Sequence, residues 1–109
     1  MSALVERQLN YFGAQGVSDG VVQLFSPQED RGAWRCDYRL SWPGFDKTRG
    51  AMGEDQWQAL HLAMHVVPAE IFATDDFKQG RIGLWGHKFT SYEDICELFD
   101  VKPVEGPTK

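Results

Sequence analysis

The alternation of apolar and polar positions is cleanest between Trp34 and Trp42. Trp34, Cys36, Tyr38, Leu40 and Trp42 alternate with Arg35, Asp37, Arg39 and Ser41. A period of two describes a strand with one buried face and one wet face. The strand runs into Trp42-Pro43-Gly44-Phe45. There Pro fixes φ at the first central turn position and Gly supplies the positive φ of the second, so a type II turn returns the chain as a strand through Lys47, Arg49 and Ala51. Upstream, Val5 to Phe12 places Val5, Leu9 and Tyr11 on one face, with Arg7 as the exception. Gly13 to Gly20 reads as turn chemistry. Val21 to Phe25 reads as a short apolar strand, stopped by Ser26-Pro27 and the polar run to Gly32. Together these segments predict a four-stranded antiparallel meander.

The period then lengthens. Gly53-Glu54-Asp55 opens a helix, with acidic residues at the positive end of its dipole. Over Glu54–Thr74 the stripe Trp57, Leu60, Met64, Val67 and Ile71 is expected to lie on the sheet. Pro68 lacks the N–H for the carbonyl four residues back, so it either kinks this helix or begins a second one. Asp75 and Asp76 are expected to end the helix region in solvent. Ile82 to Trp85 offers a short fifth strand. Thr90-Ser91 starts a last helix, on which Tyr92, Ile95, Cys96 and Phe99 recur at helical spacing. The fold class expected is α+β, one domain over residues 1–109, with a frayed tail from about 101 to 109.

The main helix is apolar almost all round. Ala59, Leu62, Ala63, Val66 and Ala69 cover much of the side opposite the stripe, and only Glu54, Gln58, His61 and His65 make a polar strip. Such a helix is buried on two sides. Either the Ile82–Trp85 segment and the last helix wrap it, or another chain does, a foreign partner or a second copy in a homodimer.

Composition narrows the partner. A hydrophobic share of 42% and a charged share of 25% are ordinary globular values and argue against disorder. The net charge of −5 argues against a non-specific nucleic-acid binder and disfavours anionic membrane surfaces, while it permits a basic protein partner. The N-terminal residues carry no basic segment followed by an apolar run, so no secretory signal is expected. Cys36 and Cys96 sit in no CxxC pattern, which suits buried thiols in the cytoplasm.

Chemistry-bearing motifs are sparse. His61 and His65 leave one helix face together, and with His87 they would supply the three nitrogens of an open zinc site. No Glu stands in the HExxH position, because Leu62 follows His61, and a solvated strip explains the pair equally. No nucleophile elbow is present, and Gly80, Gly83 and Gly86 match no phosphate-binding fingerprint. No cofactor is expected.

The run Gly53, Asp55, Gln58, Ala59, Leu60 and Ala63, followed by Gly80, Gly83 and Trp85, resembles a family of small uncharacterised bacterial proteins over about residues 4 to 90. In that pattern strands come first, then a helix opened by Gly-x-Asp and continued as Gln-Ala-Leu, then a Gly- and Trp-containing tail. The resemblance implies a bacterial α+β protein and no known activity, so it transfers no catalytic residue. The functional expectation is a non-catalytic protein-binding protein of the toxin-immunity or inhibitor kind. Trp57, Leu62, Val66, Trp85, Arg35 and Arg39 are its candidate contact residues, because aromatics and Arg anchor interfaces. The alternatives are a metal-binding protein or hydrolytic metalloenzyme using His61, His65 and His87, and a structural homodimer.

Overall fold

The patterned segment folds as the central strand of an antiparallel sheet. The structure, a computed structural model, describes residues 2–103, so the tail expected to fray lies outside the described residues from 104 onward. The first hairpin joins β1 (Val5–Gly13) to β2 (Gly16–Leu24) through two residues, with Gly13 paired to Gly16. This corrects the long turn expected over Gly13 to Gly20. Only Val21 to Leu24 of β2 pair with the next long strand, so the polar first half of β2 projects past it and stays exposed. A polar strand without a buried face carries no apolar alternation to read. At Gly20 a Cβ would meet the Trp42 Cβ at 2.9 Å, which explains a glycine inside the strand.

β3 (Gln28–Asp30) and β4 (Ala33–Trp42) form a short second hairpin, and β5 (Phe45–Gly53) follows the Pro43-Gly44 turn, where Gly44 has φ +83. β5 pairs with β4 from end to end, so β2 and β3 share the other edge of β4. After the helices α1 (Gln56–Phe72) and α2 (Asp75–Lys78), β6 (Ile82–Leu84) pairs with β1 and turns into β7 (His87–Lys88). α3 (Tyr92–Leu98) closes the order. The class is α+β as expected. The four-strand count is corrected to a seven-stranded sheet whose heart is the expected meander of β1, β2, β4 and β5. The single main helix with a C-terminal helix becomes three helices, because Thr74 caps the separate short turn α2.

Asp55 is the N-cap of α1. Its side chain accepts from the Gln58 N–H at 2.8 Å, and the Gln58 side chain accepts from the Glu54 N–H. This reciprocal arrangement satisfies two donors at the helix start. α1 runs unbroken through the buried Pro68, so the proline neither ends the helix nor begins a second one.

The buried face of α1 differs from the expected stripe. Ala59, Ala63, Val67 and Ile71 face the sheet, while Trp57 and Met64 stand out of it. Packing distance decides this. A Cβ on Gly53 would meet the Ala59 N at 2.5 Å, so the end of β5 and the helix approach too closely for a tryptophan to lie between them. Small residues permit that approach, and they carry almost no weight in a hydrophobicity pattern. Leu9, Leu40, Ile71, Ile82, Leu84 and Ile95 are among the largest fully buried side chains. Each contributes roughly 1.5–3 kcal/mol on burial, whereas each exposed ion pair is worth about 0–1 kcal/mol. The core therefore holds the fold, and the surface charges tune it.

α3 covers one flank of α1, but β6 extends the sheet beside β1 instead of wrapping the helix. Part of the apolar circumference of α1 consequently stays open, with Leu62 and Met64 each 41% exposed.

Candidate functional site

Two apolar features lie along α1. The first is an open aromatic patch at the helix start. Trp57, in the first turn of α1, is 83% exposed. It borders a shallow depression lined by Leu4, Pro27, Trp34, Asp55 and Leu60. Trp34 reaches this end because it opens β4, next to the short β3 hairpin, and Leu4 comes from the bend before β1. Asp55 and the exposed Glu54 give the rim a negative edge.

The second is an open cleft of about 210 Å³ on the inner side of the β1–β2 hairpin, against α1 and the end of α3. Its walls include Val5, Val22, Leu24, Met64 and Val67. Arg7 enters the same space. Its guanidinium donates to the Leu98 carbonyl and lies 5.2 Å from the centre of the Trp85 ring and 5.4 Å from that of Phe99. Both rings meet the cation at cation–π range. Trp85 is 74% exposed and holds φ +54 in the two-residue turn between β6 and β7, with Gly86 at φ +79 beside it. Left-handed backbone is uncommon for a bulky residue. The Asn10 side chain accepts from the Gly86 N–H at 2.6 Å and ties this turn to β1.

The six candidate contact residues do not share one surface. Arg35 and Arg39 project from the sheet face opposite α1, where each is held by carboxylates. Arg35 pairs with Asp30 at 3.3 Å and Asp37 at 2.9 Å. Arg39 meets both oxygens of Asp46 at 2.8 Å, a two-pronged contact that holds the Asp46 carboxyl below its usual range. Val66 is half-buried against the core, and Leu62 lies further along α1 than Trp57. Trp85 belongs with Arg7 instead. Sequence reasoning missed Leu4, Pro27 and Trp34 as neighbours of Trp57, and nothing local in the sequence joins them. Arg7 did leave a signal, as the one charge on the otherwise apolar face of β1.

The three histidines are not brought together. His61 and His65 lie with ring centres 4.2 Å apart, and the His65 Nδ1 sits 3.0 Å from the His61 carbonyl oxygen. His87, on β7, pairs instead with Asp94 of α3 at 2.9 Å. Burial would raise Asp94, but the Thr90 N–H, the His87 ring and the Thr90 hydroxyl outweigh it and hold the carboxyl below its usual range. Among the described residues no group of three or more His, Cys, Asp or Glu side chains is placed to hold a metal ion. Cys36 and Cys96 are fully buried free thiols, and burial raises both above the usual thiol range. Neither is a ready thiolate.

A network of polar contacts pins the helices to the sheet. The Tyr38 hydroxyl donates to Glu70 at 2.7 Å, and Arg49 approaches the same carboxylate at 3.5 Å. Burial and that carboxylate raise the Tyr38 phenol above its usual range, so it stays a donor. The Trp42 indole donates to Asp76 at 2.8 Å, and Arg81 pairs with the other Asp76 oxygen at 2.8 Å. Asp76 is thus a structural acceptor, not the solvated helix end expected of it.

These features define a small α+β domain with an antiparallel sheet and an exposed aromatic patch. The family model described as "Domain of unknown function (DUF6968)" matches residues 5–93, and the chain belongs to that family. The expected family without known activity, placed on about residues 4 to 90, agrees with this assignment. No curated protein and no solved structure matches the chain significantly. No helix among the described residues is long and apolar enough to cross a membrane.

Proposed function

We propose that this domain is a non-catalytic protein-binding module, of the cytoplasmic bacterial inhibitor or immunity kind, which docks its partner on the Trp57 patch. The observation that carries the reading is Trp57 itself, 83% exposed beside Trp34, Leu4, Pro27 and Leu60. A tryptophan left in water at the start of a helix contributes little to folding, whereas at the centre of an interface it is among the commonest energetic anchors. The negative rim and the net charge of −5 favour a partner with a basic surface, because complementary charge raises the association rate.

The test is a pull-down with the full chain beside its Trp57→Ala variant, followed by titration calorimetry on any purified partner. One basic protein retained by the native chain, released by moderate salt and lost by the variant supports the reading. A partner retained equally by both proteins removes the patch from the interface. Recovery of the bait alone counts against the reading as a whole.

A further inference from the structure

We propose that the cleft between the β1–β2 hairpin and the helices binds a small monocarboxylate with an apolar body the size of one ring, its carboxylate held by Arg7. The cleft is open to solvent on one side, and its volume of about 210 Å³ leaves room for one ring. Its apolar lining includes Val22, Leu24, Met64, Val67, Phe99 and Val101, and Arg7 is the one basic residue in it. Glu6 also borders the cleft, and its side chain is engaged across the hairpin, where it accepts from Gln23 at 3.0 Å.

Arg7 has a folding role in capping the last carbonyl of α3, but that role uses only part of its guanidinium. A guanidinium on the apolar face of a strand costs desolvation, and the usual compensation is a carboxylate. The chain carries 16 acidic residues, yet among the described residues none pairs with Arg7. The Leu98 carbonyl takes one of its five donors, and the Trp85 and Phe99 rings hold the group from the side. The fork left over matches a planar carboxylate. A phosphate dianion fits less well, because no second cation lines the cleft. An uncharged ligand would leave the remaining donors of the fork without a charged acceptor. This site lies apart from Trp34 and Trp57 and does not depend on a protein partner.

The test uses phenylacetate as the probe and 2-phenylethanol as its uncharged counterpart, titrated into the full chain by NMR and calorimetry. Saturable shifts are expected at the Val22, Leu24, Met64 and Val67 methyls and at the Arg7 Nε. The alcohol is expected to bind at least about tenfold more weakly, and Arg7→Met to lose a similar factor for the acid. Met64→Trp, which fills the cleft with Arg7 intact, is expected to abolish binding while unfolding stays cooperative, so a poorly folded Arg7→Met does not decide the matter. No saturable shift at these groups at low-millimolar probe overturns the proposal. So do equal affinities for acid and alcohol, full binding by Met64→Trp, or shifts centred on Trp57.

Discussion

The indole of Trp42 donates to Asp76 at 2.8 Å, joining the end of the central strand to the short helix that follows α1. Trp42 is 4% exposed and stacks on Phe45 at 4.4 Å between ring centres. Asp76→Ala leaves a buried indole N–H without its acceptor and removes one of the partners of Arg81. A loss of about 1–3 kcal/mol is expected in urea unfolding. An unchanged midpoint would mean that water replaces the carboxylate without cost.

Tyr38 and Glu70 make the corresponding tie further along α1. Tyr38→Phe keeps the ring in the core and removes one hydrogen bond to a charged acceptor. The expected cost is about 1.5–3 kcal/mol, with an unchanged dependence on denaturant concentration. A cost near zero would show that Arg49 alone satisfies Glu70.

The rotated helix face gives a sharper contrast. Ala63→Leu forces three extra carbons between α1 and the sheet, and overpacking of this kind costs about 1–3 kcal/mol. Met64→Leu, one position along and partly exposed, is expected to change stability by less than about 1.5 kcal/mol, as volume-conserving swaps do. Thermal unfolding of the two variants side by side decides which face packs. The reverse order of stabilities would restore the stripe through Trp57 and Met64.

Trp57→Ala is expected to leave stability within about 0.5 kcal/mol of the native chain, the usual range for exposed positions. A large loss would assign Trp57 to the core and withdraw it as a docking residue. The same variant thus separates packing from binding.

Asp94 sets a pH dependence of known sign. Its folded-state value lies below the usual carboxylate range, chiefly through the Thr90 N–H and the His87 ring working against burial. The stability it contributes is therefore fully present above the ordinary Asp value of about 3.9 and is lost as pH falls through the lower folded value. Asp94→Asn is expected to flatten the acid side of the melting-temperature profile while lowering it at neutral pH. Parallel profiles for the two proteins would show that Asp94 is not linked to folding.

The sequence by itself determined the α+β class, the central strand, its Pro-Gly turn, the existence of two docked helices and their starts to within a residue or two, around Gly53-Glu54-Asp55 and Thr90-Ser91. All of these rest on local periodicity and on caps formed within a few residues. Tertiary structure decided the rest. The first half of β2 is strand because β1 supplies its hydrogen bonds, although its side chains bury nothing. Ala59 and Ala63, not Trp57 and Met64, face the sheet because the backbone at Gly53 comes too close for larger groups. Trp34 and Trp57 border one depression, and Arg7 meets Trp85 and Phe99, only once distant segments pack. Periodicity reports how a segment divides its polar and apolar sides, whereas close approach and long-range juxtaposition depend on what the segment packs against.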